Sequence, residues 1–300
     1  MEQIGFLALI SKKAGHYRPN VCRDLTESFS KACIPLRFYY IEDEKELAGE
    51  IQAAYKAGCR DYLAVGGDGT VSLAASCLYG KPHRIAIIPA GTANTMARVL
   101  GIPMSAKKAI ALAVSSKATR AVDGMEVGGR IYLLNVSAGL SSISLDCLNE
   151  KAKATVGMFS YVIGVARASL KAAPCNYEIV IDGKSLCSRE VELHVTNIGV
   201  LGLPRYHIHE TSRIDDGKVE VLGLSDLAPV TVIGAVLDVL LRRKKQAIRL
   251  IGEGSDIRIS SIQKQIAQGD GDIIGPTPIS IKVRSRAINF IVPGNRRKSI

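Results

Sequence analysis

Tyr62-Leu63-Ala64-Val65-Gly66-Gly67-Asp68-Gly69-Thr70 is the stretch on which the reading of the fold rests. A short apolar run, long enough for a buried strand, enters a glycine-rich turn, and a helical pattern takes over from about Val71. A strand that leaves its turn as a helix is half of a βαβ unit. The turn's chemistry follows from its composition. Glycines lack Cβ, so their backbone N–H groups can turn inward and approach an anion closely. The helix that follows adds a partial positive charge at the same place. Gly66, Gly67 and Gly69 are therefore read as the cradle of a phosphate group. Thr70 can cap the helix or bond a phosphate, and Asp68 can hold a magnesium ion through a water. A tight turn at a strand end would also use glycine. Three glycines in this five-residue run favour the phosphate reading, because glycine makes up only about 7% of residues generally.

Phe6-Leu7-Ala8-Leu9-Ile10 reads as a buried strand, Val21 to Cys33 as a helix, Leu36 to Ile41 as a second strand and Asp43 to Ala57 as a second helix. Beyond the glycine turn, Ile85-Ala86-Ile87-Ile88 is another strand, ending at Pro89. Short apolar strands separated by helical segments indicate a parallel sheet covered on both faces. The pattern changes near Asp123. Antiparallel strands are expected at Ile131 to Val136, Tyr177 to Ile181 (closed by an Asp182-Gly183 turn), Val191 to Val195 and Val219 to Leu224. More follow at Ile257 to Ile259, Ile279 to Val283 and Ile288 to Val292, and helical segments interrupt at Tyr161 to Ala172 and Pro229 to Leu241. A β-sandwich is the simplest home for such strands. The expected organisation is a doubly wound α/β domain over residues 1–125 and an antiparallel sandwich-like domain over 126–300, whose C-terminal tail can pack back on the first.

Composition narrows the partners. The 300 residues carry a net charge of +11, with 47% hydrophobic and 22% charged residues and no tryptophan. A basic surface concentrates anions such as nucleotides, nucleic acid or an anionic membrane face. The basic clusters are not interleaved with aromatic residues, which argues against nucleic acid. Seven cysteines without a Cys-x-x-Cys pair speak against a disulfide framework or a zinc site. The N-terminus does not read as a signal peptide, so a reducing cytoplasm is the expected setting. The apolar stretch from Leu227 to Leu241 contains Pro229 and Asp238 and is shorter than the roughly 20 residues a spanning helix needs. Val230, Ile233, Val236, Leu237, Leu240 and Leu241 share one helical face there, and Arg242-Arg243-Lys244-Lys245 follow. That helix either docks on an anionic membrane surface or packs in the core. His207 and His209 share a strand face, but nothing nearby completes a metal ligand set.

A second polar turn stands at Pro89-Ala90-Gly91-Thr92-Ala93-Asn94-Thr95-Met96-Ala97-Arg98, again between a strand and a helix. Ligands in open α/β folds bind at this end of the sheet. Thr92 and Asn94 supply a hydroxyl and an amide that can reach a nucleotide, or that simply cap the helix. Together, Gly66–Thr70 and Pro89–Arg98 resemble the signatures of the diacylglycerol kinase catalytic-domain family, which shares its first motif with sphingosine and NAD kinases. The resemblance runs through most of the chain in motif order. Asn135-Val136-Ser137-Ala138-Gly139 is similar to a strand end of that family, although Leu140-Ser141-Ser142 stand where Gly-Phe-Asp often follows.

The resemblance implies an ATP-dependent lipid kinase that uses Mg²⁺. ATP would lie across Gly66–Thr70 and Thr92–Asn94 in a cleft between the domains, with Ser11 and Lys12 also contacting phosphates. Asp272, in Gln268-Gly269-Asp270-Gly271-Asp272, holds the place of the family's general base, with Asp68 and Asp270 shaping the site. Asp215 and Asp216, in an Asp-Asp-Gly turn, are the expected metal ligands, and a plain hairpin turn explains them equally well. Three departures stand out. Thr95 replaces a family aspartate, Ser11-Lys12-Lys13-Ala14-Gly15 replaces Asn-Pro-x-Ser-Gly, and Tyr40-Ile41-Glu42 occupies the region of an expected threonine. The expected partners are a lipid substrate and an anionic membrane met peripherally, with no nucleic acid and a homodimer left open. The competing readings are an NAD kinase or other small-molecule kinase, and a catalytically degenerate binding member.

Overall fold

Apolar strands alternating with amphipathic helices build the first unit in the order β1 (Phe6–Ile10), α1 (Asn20–Lys31), β2 (Leu36–Tyr40), α2 (Glu44–Lys56), β3 (Asp61–Gly66), α3 (Asp68–Leu78), β4 (Arg84–Pro89), α4 (Thr95–Val99) and α5 (Ala106–Ser115). The computed structural model describes residues 4–139, 174–198, 213–225 and 248–294. Among these, the first unit takes the residues up to Gly124 and those from Arg286 onward, and the second takes Met125 to Ser285. The first unit's strands are parallel in the order β2-β1-β3-β4. The chain thus leaves β1 toward one side and β3 toward the other, which is the switch point where open α/β sheets bind ligands.

Every residue of β1 is buried, as are all but the first of β3 and β4; two covered faces require this. On β2, Arg37 and Tyr40 are exposed. Helix α1 buries Val21, Leu25 and Phe29 at helical spacing, and Phe29 meets Phe6 edge-on with ring centroids 5.1 Å apart. Asp43 caps α2, its carboxylate accepting from the amides of Lys45 (2.7 Å) and Glu46 (3.3 Å), a cap that contributes about 1 kcal/mol. Helix α3 begins at Asp68, earlier than the expected Val71. An acidic residue in a first turn offsets the helix's partial positive charge, so the helix starts inside the glycine run. No helix among the described residues is long and apolar enough to cross a membrane.

The second unit is antiparallel. Its strands are the last residues of β5 (Thr119–Val127), then β6 (Arg130–Tyr132), β7 (Asn135–Gly139), β8 (Cys175–Ile181), β9 (Lys184–Glu190), β10 (Glu192–Thr196), β11 (Val219–Leu224), β12 (Ile248–Gly254), β13 (Asp256–Ser261), β14 (Ile266–Gly269), β15 (Asp272–Pro276) and the first part of β16 (Ile279–Ile291). One sheet runs β16-β13-β8-β9, the other β12-β11-β10-β7-β14-β15. Tyr177, Ile179, Ile257 and Ile281 from the first join Val136, Leu193, Val195 and Val221 from the second in one buried core. The fold class is α/β followed by an antiparallel sandwich. Asp182 (φ 46°) and Gly183 (φ 83°) close the β8–β9 hairpin with both residues left-handed, as a two-residue primed turn demands.

Three expected strands come out differently. Ile131 to Val136 is broken at Leu133-Leu134, because the amides of Leu133, Leu134 and Asn135 all point at the Asp270 carboxylate. The expected strands Ile279 to Val283 and Ile288 to Val292 are one strand, β16 (Ile279–Ile291): Arg286 adopts a left-handed φ of 52° and its amide donates to Asp123 at 2.6 Å, so the chain kinks without ending. Strands β5, β9, β12, β14 and β15 and helix α5 have no counterpart among the expected elements. The expected helices at Tyr161 to Ala172 and Pro229 to Leu241, with His207, His209 and Arg242 to Lys245, lie outside the described residues.

A buried acid braces the end of β9. The Glu190 side chain is fully enclosed and accepts from Ser188 Oγ (2.5 Å), Arg249 (2.8 Å) and Ser225 Oγ (2.8 Å). Burial by itself would raise its pKa. The hydrogen bonds from Ser188, Arg249 and Ser225 and the guanidinium charge outweigh it, so the pKa falls below the ordinary 4.5. A folded pKa below the unfolded one means that the network stabilises the protein above the ordinary value and loses that contribution as pH falls through the folded value. Glu190→Gln is expected to cost about 1–3 kcal/mol at pH 7. In thermal melts the gap from wild type should narrow as the pH is taken below the ordinary carboxylate range. A gap that stays constant with pH would refute the linkage.

Candidate active site

Loops from the carboxyl ends of β1, β3 and β4 meet at one edge of the first unit. The Ser11 amide donates to Val65 O at 3.0 Å, and the Ala90 amide to Gly66 O at 2.8 Å. The His16 amide donates to Ala90 O at 2.8 Å, and its Nδ1 lies 3.0 Å from Gly91 O. At the centre two backbones touch. A Cβ on Gly67 would stand 3.1 Å from Gly91 Cα, and a Cβ on Gly91 would collide with Gly67 Cα. A Cβ on Gly66 would collide with the Thr70 side chain. Gly66, Gly67, Gly69 and Gly91 are not among the left-handed glycines. Glycine is needed here for close approach, not for an unusual dihedral.

Two predicted residues hold this edge together. Asp68, in the first turn of α3, accepts from the amides of Thr95 (Oδ2, 3.0 Å) and Met96 (Oδ1, 3.0 Å), and so caps α4 from a different helix. Asn94 is left-handed (φ 50°) and buried. Its Oδ1 accepts from the Gly91 amide at 2.8 Å and its Nδ2 donates to Gly91 O at 2.6 Å, which closes the turn on itself. Thr92 stays exposed, its Oγ1 next to Gly15. Lys12 is exposed, with its ammonium over the Tyr40 ring at 4.2 Å. The first-turn N–H groups of α3 have no intrahelical acceptor and, with exposed Gly69, make the concavity that anions favour.

In the second unit, the turn between β14 and β15 carries Asp270 and Asp272. Asp270 (φ 49°) accepts from Leu133 (2.7 Å), Leu134 (2.9 Å) and Asn135 (2.9 Å), so its carboxylate positions backbone. Gln268 fixes the same turn, accepting from the Gly271 amide at 2.8 Å and donating to Ser137 Oγ at 2.6 Å. Asp272 is half-exposed and accepts from Arg130 at 2.7 Å. Its carboxylate therefore faces solvent in a set direction. Asp216 accepts from the Lys218 amide at 3.1 Å, and Asp215 lies 3.4 Å from Arg213 Nε. Among the described residues no three His, Cys, Asp or Glu side chains come together as a metal site.

These features define a class: an open parallel α/β unit whose glycine turns meet at the switch-point edge, followed by an antiparallel sandwich. Residues 6–127 match the Diacylglycerol kinase catalytic domain, and residues 135–292 match the YegS C-terminal NAD kinase beta sandwich-like domain. The chain belongs to the family built from these two domains. A protein of Pseudomonas savastanoi pv. phaseolicola (strain 1448A / Race 6), named "Probable lipid kinase YegS-like", is 37% identical over 130 residues, which is 42% of this chain. The match spans about two fifths of that relative's length (41%). The "Diacylglycerol kinase" of Bacillus subtilis (strain 168) is 25% identical over 266 residues, covering 83% of this chain and 84% of its own. The crystal structure of a diacylglycerol kinase from Bacillus anthracis str. Sterne superimposes with a TM-score of 0.77 at 19% identity over 97% of each chain. At that identity the likeness speaks for the fold alone.

Sequence reading missed His16, Gly91 as a contact residue, and Arg130. The partners of His16 and Arg130 lie 75 and 142 residues away, so no local pattern could have signalled them. The geometry makes a prediction for Gly91→Ala. The added methyl would push the two turns apart, so affinity for inorganic triphosphate and for ATP should fall at least tenfold, read by calorimetry, while circular dichroism keeps the wild-type fold. Unchanged affinity in the folded variant would remove this edge as the phosphate site.

Proposed function

We propose that this chain transfers the γ-phosphoryl group of ATP to the hydroxyl of a lipid. The observation that carries the reading is the Gly67–Gly91 contact at the carboxyl edge of the parallel sheet, in a chain that belongs to this family. Relatives named as lipid and diacylglycerol kinases support the acceptor class. In this reading Gly66, Gly67, Gly69 and Thr70, with the N-terminus of α3, hold the phosphates, and Ser11, Lys12 and Thr92 approach them from the neighbouring turns. Asp68 and Asn94 set the shape of the turns. Phosphoryl transfer needs chiefly positioning and charge neutralisation, and Mg²⁺, when bound with the nucleotide, supplies part of the latter.

Asp272 is the proposed general base. It takes the proton of the acceptor hydroxyl as the hydroxyl oxygen bonds to the γ-phosphorus and the bond to the β–γ bridging oxygen breaks, releasing ADP. A carboxylate does this when it stands about 3 Å from the hydroxyl. Arg130 holds it in one direction, and Asp270 and Gln268 hold the turn beneath it. A cytoplasmic protein with peripheral contact to an anionic membrane fits the charge of +11, since each basic group near such a surface contributes about 1 kcal/mol.

Labelled ATP with a panel of diacylglycerol, sphingoid base, phosphatidylglycerol and NAD tests the assignment. Label on one of the lipids is the expected result, and label on NAD alone or on nothing would overturn it. Asp272→Asn should reduce turnover by roughly 10²-fold and leave ATP affinity within a few-fold of wild type. Turnover equal to wild type would return Asp272 to a purely structural role. Sedimentation should show binding to anionic vesicles that high salt weakens; equal binding to neutral vesicles would remove the electrostatic contribution.

A further inference from the structure

The carboxyl ends of β1 and β2 carry an exposed aromatic ring, Tyr40, that the proposed phosphate site does not use. Tyr40, the last residue of β2, is 38% exposed, although an aromatic ring ordinarily gains by burial. It is nevertheless braced. The Lys12 ammonium lies 4.2 Å from its ring centroid, and its hydroxyl is 3.7 Å from Cys22 Sγ, which is in turn 3.6 Å from the Tyr17 hydroxyl. An ammonium over an exposed ring contributes about 0.5–1 kcal/mol, enough to bias the ring's orientation.

Register gives the position of the ring. Ile10 pairs with Tyr40 on one side and with Val65 on the other. Tyr40 therefore stands two strand spacings, about 9.5 Å, from the strand that enters the glycine turn. Ser11 and Lys12 lie in the interval, at the end of β1. An extended nucleotide needs a comparable reach from its phosphates to its base, and the line runs across the switch point of the sheet.

We propose that Tyr40 is the stacking platform for the base of the phosphoryl donor, with Lys12 between base and phosphates; this rests on the phosphate-site reading above. Every base offers a π-face to an aromatic side chain, so the platform binds a nucleobase through its face. The family resemblance places a threonine in this region, so the platform is a feature of this chain's own sequence.

The chain has no tryptophan, so Tyr40→Trp installs a single indole at the platform. Its emission should change on adding ATP with magnesium and stay constant on adding inorganic triphosphate. Tyr40→Ala should weaken ATP binding about tenfold, equivalent to about 1.4 kcal/mol, within the range for base–aromatic stacking. Its affinity for inorganic triphosphate should match wild type, and Tyr40→Phe should retain ATP affinity. Thermal melts establish that the variants are folded. An equal loss for ATP and triphosphate would mean that the ring supports the loop and touches no base. No loss for either would likewise overturn the platform while leaving the phosphate site standing. If the wild-type protein binds neither compound, the phosphate-site reading fails and the platform falls with it.

Discussion

Two backbones that touch at Gly67 and Gly91 set the geometry of the whole first-unit edge. The constraint is excluded volume: a methyl group at Gly91 would overlap the Gly67 Cα, and one at Gly67 would press against the Gly91 Cα. With the turns in contact, the first turn of α3 lies against the start of α4, and Asp68 can accept two amides from a helix it does not belong to. The N–H groups left without intrahelical partners at the start of α3 then share one concavity. Asn94 closes the second turn from within, so that Gly91 is held by hydrogen bonds as well as by contact.

A common device recurs in both units. Asp43, Asp68, Asp182 and Asp270 each hold two or more backbone amides. For Asp182 these amide bonds lower the carboxyl pKa, because hydrogen bonds to the charged form favour it. The chain has 28 acidic residues against 39 Lys and Arg, and several of the acids serve as pins for backbone. That division explains why Asp270 and Asp272, two residues apart, have different surroundings. Asp270 spends its oxygens on amides, whereas Asp272 projects outward and meets one guanidinium.

The sequence made the parallel sheet legible because each strand is an apolar run bounded by a helix of clear period, and β1, β3 and β4 are buried as such runs require. The glycine turn was legible for the same reason: its glycines sit at a strand end. What stayed hidden depends on partners far along the chain. The break at Leu133-Leu134 is caused by a carboxylate 137 and 136 residues away, and β16 continues through Arg286 because of Asp123, 163 residues away. Strand β9, with the sequence Lys-Ser-Leu-Cys-Ser-Arg-Glu, has little apolar alternation and is recruited by pairing with β8. Among the candidate site residues, the types were readable and their bonds to backbone were not. Asn94 and Asp68, singled out as ligand contacts, both turn out to bind backbone.

Where the family resemblance expects a second carboxylate, this chain has a buried threonine, Thr95, whose amide donates to Asp68. A carboxylate at position 95 would lie close to that of Asp68, and two like charges at short range raise the cost of ionising both. With threonine there, Asp68 lacks that like-charged neighbour, and two amides already neutralise part of its field. Less negative charge then faces the proposed phosphates. The N–H groups at the start of α3 and the Lys12 ammonium oppose the phosphate charge with fewer carboxylates competing for it. Thr95 and the Lys12 ammonium therefore act in the same direction, each making the proposed phosphate edge less negative.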